Sequence, residues 1–453
     1  MTKKHDIRKN ILIIALILIV QAGLLINLKF TAWPEMLLWP YLMSKGWLPY
    51  ANIAIAHTPL MLIDLSLFYK IFGVGIVQLK LFTWGLILIS DWLVFAIAKK
   101  LWNTKTAIFA LGTFVVWNLF YDGNGLWFDL YMGVLALCSF YFAREKKWVW
   151  TGIFWALAMI SKQTAVWFLL PIGLEVLQSV KHKVQSVGRL ILGAFMVSVA
   201  FLLLLLAFRL LPSFWNWAVS FGIFELPRAV GQIQLPDLKV LLVAVFPFLI
   251  FIPLLLKTGK KYLYLLVWAI AGSLGAYPRF ELFHFQAAIP FLAIASALVF
   301  AGKKNWSKFI KTGILIYIIG TVYLFAGFFM RNFKEGTRFY EKDVASVVSF
   351  VKYNTSPGDA IFVLNWWDNI YALTSTIPST NPWVPQLSWY TEVPGIQEKM
   401  VEGLKANPPK FIILSPYSEI GLSAYTPEKV YEFVTENYKV SQRVDGVEIL
   451  IQK

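Results

Sequence analysis

Eleven apolar stretches fill the chain up to Arg331, and beyond that point the pattern changes. The stretches run near 10–29, 76–98, 106–121, 124–143, 148–161, 163–180, 187–211, 237–256, 261–277, 283–301 and 309–330. A straight bilayer crossing takes about 20 predominantly apolar residues, so this pattern predicts a polytopic α-helical membrane protein with about eleven transmembrane helices. A further apolar run, Thr58–Gly73, carries Asp64 and Lys70 and follows Pro49 and Pro59. It is expected to lie as an interfacial helix on the outer surface. After Arg331 the period becomes that of a soluble α/β domain. Val344, Val347, Val348 and Val351 share a helix face, and Pro357-Gly358-Asp359 turns the chain into the strand AIFVL. A helix over 394–406 and the strand KFIIL repeat the cycle. Thr426-Pro427-Glu428 then opens a third helix, and strands near 439–444 and 447–451 meet at Asp445-Gly446 as a closing hairpin. The expected organisation is a transmembrane catalytic domain over 1–331, with a large first loop at 30–75, and a soluble α/β domain over 332–453.

Charge fixes the expected orientation. The net charge is +16, yet residues 332–453 hold 11 basic and 14 acidic residues, against 30 and 11 before them. Twenty of those 30 basic residues fall in short clusters between apolar runs, among them Lys99/Lys100/Lys105, Arg144/Lys146/Lys147, Lys181/Lys183/Arg189 and Lys303/Lys304. Basic residues concentrated in short loops mark cytoplasmic connections. The basic excess therefore needs no nucleic acid, and the C-terminal domain is expected outside the cytoplasm. The single cysteine, Cys138, rules out an intramolecular disulfide.

This topology gathers polar residues at the external ends of the spans: Glu35, His57, Asp122, Lys162, Gln163, Arg228, Arg279, Glu281 and His284. Ionisable groups at membrane depth are costly, which makes each a candidate for function. Glu35 reads as a general base or as a solvated loop acid. Lys162 reads as a cation for a lipid phosphate, with Gln163 as a second donor, or as a lysine snorkelling to the outer interface. Arg279 and His284, in AYPRFELFHFQ, can grip a phosphate and stabilise charge as it leaves; the alternative is an Arg279–Glu281 ion pair closing a loop. No Cys/His/Asp cluster points to a closed metal site, while a divalent cation, Mg or Mn, held by Glu35 and Asp122 stays open. Trp366, Trp367 and Trp383 are read first as core or interface anchors and second as sugar-stacking platforms.

Three of these stretches resemble the GT-C integral-membrane glycosyltransferases of family 39, near the protein mannosyltransferases and aminoarabinose transferases. They are Glu35 followed by Gly46-Trp47-Leu48-Pro49-Tyr50 and His57-Thr58-Pro59-Leu60; Ser161-Lys162-Gln163-Thr164; and Tyr277-Pro278-Arg279-Phe280-Glu281 with His284 and Pro290. The likeness implies a donor sugar on a polyprenyl phosphate (dolichyl or undecaprenyl type) and a protein, lipid or glycan acceptor. It implies a catalytic role for Glu35, where the family commonly has aspartate, and substrate or phosphate binding by Lys162, Gln163, Arg279, His284, His57 and Arg228. Two other classes compete: a transporter or flippase for a charged lipid, for which the chain lacks the paired internal repeats expected, and a non-catalytic membrane scaffold.

Overall fold

The computed structural model describes residues 2–178, 183–301, 306–418 and 425–453; Lys181, Lys303 and Lys304 of the basic clusters lie outside them. Among the described residues six helical stretches are long and apolar enough to cross a membrane: Ile7–Asn27, Ile76–Leu101, Lys183–Ala207, Leu238–Ala276, Leu282–Ala301 and Lys308–Asn332. Shorter apolar helices, Thr104–Phe120, Trp148–Ser161 and Gln163–Leu177, accompany them. The chain is thus a helical membrane protein, with fewer full-length spans than the eleven apolar runs suggest. Two neighbouring runs, near 237–256 and 261–277, form one long stretch interrupted by 3-10 turns at Phe246–Ile250 and Gly259–Tyr262.

Two compact units make up the chain. The first comprises 1–30, 83–203 and 233–336; the second comprises 31–82, 204–232 and 337–453.

Local chemistry sets the helix starts of the first unit. Asn103 accepts from the Thr106 N–H at 2.9 Å, Asp237 from the Val240 N–H at 2.7 Å and Ser307 from the Ile310 N–H at 3.3 Å. Each satisfies an N–H that has no partner inside its own helix. Asn124 closes the other end of the first helix: its amide donates to the carbonyls of Leu25, Leu28 and Lys29 at 3.0–3.1 Å and accepts from Trp84 Nε1 at 3.0 Å. Small residues then bring one irregular segment deep into the bundle. The 3-10 segment Leu282–Ala288 packs between the helices Phe128–Arg144 and Leu263–Ser273. A Cβ added at Gly272 would lie 2.7 Å from the Ala288 nitrogen and 2.8 Å from the Ala287 oxygen; one at Gly133 would lie 3.2 Å from the Ala287 Cα. Missing side chains on two helices therefore leave the room that the segment carrying His284 and Gln286 occupies.

The second unit is built on a five-stranded mixed sheet, in the order Ile377–Pro378, Ala360–Leu364, Ile412–Leu414, Val447–Gln452, Tyr438–Val444. Phe362 pairs in parallel with Ile412, and Ile413 pairs antiparallel with Ile449. Helices Lys342–Asn354, Ile396–Ala406 and Glu428–Asn437 bury Val344, Val347, Val348, Val351, Met400, Leu404, Val430 and Val434. Apart from the short edge strand Ile377–Pro378, these are the helices and strands that the periodicity predicts, to within a few residues. The first loop folds with this domain as two helices, Pro34–Ser44 and Leu60–Phe72. Tyr41 Oη donates to the Thr376 carbonyl at 3.0 Å, the Ala54 N–H to the Trp383 carbonyl at 3.0 Å, and Trp389 Nε1 to the Val230 carbonyl at 3.0 Å.

Gly272→Ala is expected to lower stability by about 1–3 kcal/mol, the range for overpacking a filled interior. Gly133→Ala should cost distinctly less, because its methyl meets a neighbour that needs to give only a few tenths of an ångström. Thermal unfolding in detergent, read from the same preparation, checks the order; equal losses would mean that the segment 282–288 adjusts freely.

Candidate active site

Asp129 stands in the first turn of the helix Phe128–Arg144. Lys162 follows the helix Trp148–Ser161 at a break in extended conformation, φ −153° and ψ 132°, before the 3-10 turn Gln163–Phe168. His284 sits on the 3-10 segment Leu282–Ala288, its backbone N–H bound to the Glu281 carbonyl at 3.1 Å. All three meet in the first unit. Lys162 Nζ lies 2.5 Å from Asp129 Oδ2, His284 Nδ1 lies 2.9 Å from the same oxygen, and Nζ lies 3.0 Å from Nδ1. Asp129 is 0%, Lys162 3% and His284 9% exposed. A buried ammonium beside a buried carboxylate is an ion pair that neither partner could leave cheaply. The snorkelling alternative for Lys162 is therefore not what the structure shows.

The remaining first-unit candidates lie around this cluster. Gln163 is partly buried at the start of its 3-10 turn. Arg279 is partly exposed, its Nε 3.9 Å from Glu281 Oε1, the limit of an ion pair. Its backbone is anchored by the strand-like bridge to Gln234, with the Gln234 N–H on the Pro278 carbonyl at 3.1 Å and the Phe280 N–H on the Gln234 carbonyl at 3.0 Å. Gln286 Nε2 donates at 3.1 Å to the carbonyls of Tyr121 and Asp122.

Glu35, His57 and Arg228 belong to the second unit. Glu35 is partly buried in the first turn of the helix Pro34–Ser44, with Pro34 at its start. Proline fits a first helical turn because its missing N–H would have no partner there, and an acid in that turn gains from the helix dipole. Tyr69 Oη fixes the helix by donating to the Met36 carbonyl at 3.0 Å. Asp368, on the loop that leaves the strand Ala360–Leu364, is near enough to feel the charge of Glu35. Burial first, and that charge second, hold its carboxyl well above the usual carboxylate range. The ring of Phe339 meets Trp33 at a tilt, 5.2 Å between centroids, and Trp367 edge-on at 4.8 Å, and Arg338 lies over Trp33 and Phe339. Trp367 is exposed and Trp383 is buried, so only the former has a face to offer a ligand. His57 is partly buried, its carbonyl accepting from Tyr50 Oη at 2.9 Å, and Arg228 is exposed on the turn Leu226–Arg228.

Two acids therefore join the sequence candidates. Asp129 interrupts the run GLWFDLYMGVLALCSF, and an acid inside an apolar run is a signal in itself. Asp368 follows a parallel strand at its carboxyl end, where open α/β sheets place their ligand groups. As for a cation, no group of three or more His, Cys, Asp or Glu residues among the described residues is arranged to hold one.

Residues 56–208 match the dolichyl-phosphate-mannose-protein mannosyltransferase family. No curated protein matches the chain. Among solved structures the chain is similar to ArnT from Cupriavidus metallidurans in the apo state, with a TM-score of 0.66 at 12% identity over 99% of this chain and 98% of that one. The same protein bound to undecaprenyl phosphate gives a TM-score of 0.58 at 12% identity, over 97% of both chains. The oligosaccharyltransferase of Archaeoglobus fulgidus in its apo form gives 0.53 at 12% identity, over 90% of this chain and 69% of that one. Residues 56–208 thus resemble the protein mannosyltransferases, and the chain along nearly its whole length has the fold of ArnT.

Proposed function

We propose that this glycosyltransferase takes a sugar from a polyprenyl phosphate of dolichyl or undecaprenyl type and transfers it to an acceptor hydroxyl on the outer face of the membrane, with inversion. The observation that carries the reading is the first unit's set of cationic groups, Arg279 and His284 at its more exposed edge and Lys162 one layer deeper. It occurs in a fold shared along its whole length with an ArnT that binds undecaprenyl phosphate.

In this reading Arg279 and His284 hold the donor phosphate, and Gln163 adds a neutral donor. A guanidinium offers two parallel hydrogen bonds to a phosphate, and a ring nitrogen that donates strengthens as negative charge grows on the leaving oxygens. Lys162 contributes its charge from behind His284, since Asp129 covers the ammonium. Arg228 and His57 are the other substrate-binding residues of this reading.

Glu35 is the base. Two neighbouring carboxyls do not ionise equally, and their environments divide the roles. Burial holds the Asp368 carboxyl well above the usual carboxylate range, and in this reading Glu35 is the one that acts as base. Glu35 takes the proton of the acceptor hydroxyl, and the acceptor oxygen bonds to the anomeric carbon from the face opposite the phosphate. The bond from that carbon to the phosphate oxygen breaks, and the polyprenyl phosphate departs with the electron pair. One displacement reverses the configuration at the anomeric centre. The exposed face of Trp367 offers the acceptor a flat apolar surface.

Transfer of radiolabelled sugar from a panel of polyprenyl-phosphate donors to membrane acceptors tests the reading. Glu35→Gln should lower turnover at least a hundredfold while donor binding is retained; loss of binding and turnover together would assign Glu35 to substrate binding. Arg279→Ala should weaken donor binding about tenfold or more. Wild-type protein that binds donors without transferring sugar would favour a flippase, and one that binds none would favour a scaffold.

Asp368 yields a separate expectation. A carboxyl whose pKa is raised on folding binds its proton more tightly in the native state, so its contribution is whole below the unfolded value. It is lost as pH rises through the raised native value. Thermal stability should fall as pH rises above about 4, the ordinary aspartate value, and Asp368→Asn should flatten that slope. A slope unchanged by the substitution would show that Asp368 titrates normally.

A further inference from the structure

The cluster of Asp129, Lys162 and His284 contains one contradiction that chemistry must resolve. A ring nitrogen, His284 Nδ1, stands 2.9 Å from a carboxylate oxygen and 3.0 Å from an ammonium nitrogen, and it cannot both donate to the first and accept from the second in one neutral tautomer. If Nδ1 were bare, it could accept from the Lys162 ammonium but would face the anionic oxygen 2.9 Å away with no hydrogen between them. If Nδ1 carries the proton, it donates to Asp129 Oδ2, and the ammonium rotates so that its own hydrogen points at that oxygen only 2.5 Å away. The rotor can turn; the ring lone pair cannot. The charge count agrees, because a carboxylate with no exposure is then met by an ammonium and an N–H on one oxygen.

Exposure gives this choice a direction. The side chain of Asp129 is 0% exposed and that of Lys162 is 4%, while that of His284 is 11%. Among the described residues the polar contacts of the His284 ring run through Nδ1, and Nε2 makes no hydrogen bond. The anchored side of the ring is thus the buried side, and Nε2 is left as the nitrogen a ligand can meet. Phe283, edge-on to the ring with centroids 4.3 Å apart, adds a packing restraint on its plane.

We propose that Asp129 is a positioning residue for the donor-phosphate site: it takes the Nδ1–H of His284, with Lys162 as its counter-ion, and so presents Nε2 to a phosphate oxygen of the lipid-linked donor. The inference rests on the phosphate-binding reading of His284 for its ligand, but not for the state of the ring. Lys162 is then the group that makes Asp129 tolerable, and the imidazole is the one that touches the phosphate. The hydrogen bond to that oxygen is made by the charged ring, whose Nε2–H donates; a neutral ring with Nδ1–H leaves Nε2 bare and offers the oxygen no hydrogen. A hydrogen bond made by one ring nitrogen fixes what the other can do.

The test is nuclear magnetic resonance of the full-length protein labelled with 15N-histidine. The chain has four histidines, and the His284 signal is the one missing from His284→Gln. A protonated, pyrrole-type Nδ1 is expected whether or not the ring is charged; a bare, pyridine-type Nδ1 would overturn the proposal using wild-type protein alone. Asp129→Asn should move the proton toward Nε2 and lower kcat at least tenfold with the donor KM changed less than threefold. If this variant keeps both the wild-type Nδ1 signal and wild-type kcat, Asp129 does not position the ring. Should Asp129→Asn fail to fold, Asp129→Glu serves in its place and should restore the pyrrole-type Nδ1 with part of the activity; a bare Nδ1 there would count against the proposal. Titrating dimethyl phosphate into wild type should shift the Nε2 resonance and leave Nδ1 in place. An Nδ1 shift in place of an Nε2 shift would reverse the assignment, while absent sugar transfer with the expected ring state would fault the functional reading alone.

Discussion

A carboxylate sealed among apolar helices has to be met by positive charge at contact distance, and much of the first unit is arranged around that requirement at Asp129. The ammonium that meets it arrives where the backbone leaves the α-helix, with Lys162 extended between a helix and a 3-10 turn, and the imidazole comes from a 3-10 segment as well. Irregular backbone at membrane depth is tolerated only where protein or a cavity covers it. Here it is covered: Gly272 and Gly133 give up their side chains so that residues 282–288 fit between two helices. Charge pairing, helix breaks and small residues are thus one solution seen at three levels.

The second unit solves a different problem, that of holding an acid at a fixed place in a long loop. Glu35 depends on a short helix that could not stand alone, since isolated helices of this length are marginal in water. Tyr69 ties that helix to its neighbour Leu60–Phe72, while Tyr41 and the Ala54–Trp383 bond tie the loop to residues of 337–453. The sheet therefore does more than fold by itself. It gives the loop residues a rigid partner, and it supplies Asp368 from the end of its own strand.

Elements governed by local periodicity were legible in the sequence. The valine stripe of 344–351, the strand at 360–364, the closing hairpin and the long apolar helices all follow from residues a few positions apart. What escaped was set by distance along the chain. Nothing near Lys162 indicates that its partner is Asp129, and nothing in residues 31–82 or 204–232 announces that they fold with residues 337–453. Hydropathy also did not separate the long helices from short and broken ones, because all of them carry the same apolar signal. Of the candidate residues, Lys162 and His284 were singled out as costly polar groups and do converge, whereas the acid that joins them was passed over as one polar position in an apolar run.

As the proposed base, Glu35 has one more methylene and one more rotatable bond to fix than an aspartate would, a cost on the order of a few tenths of a kcal/mol to about 1 kcal/mol in side-chain entropy. That cost is small against the anchoring already present. The carboxylate starts from the first turn of a helix whose N-terminus favours negative charge, and Pro34 fixes the chain immediately before it. The reach of the longer side chain is thus set by the helix that carries it, beside an acid, Asp368, whose carboxyl burial holds well above the usual carboxylate range.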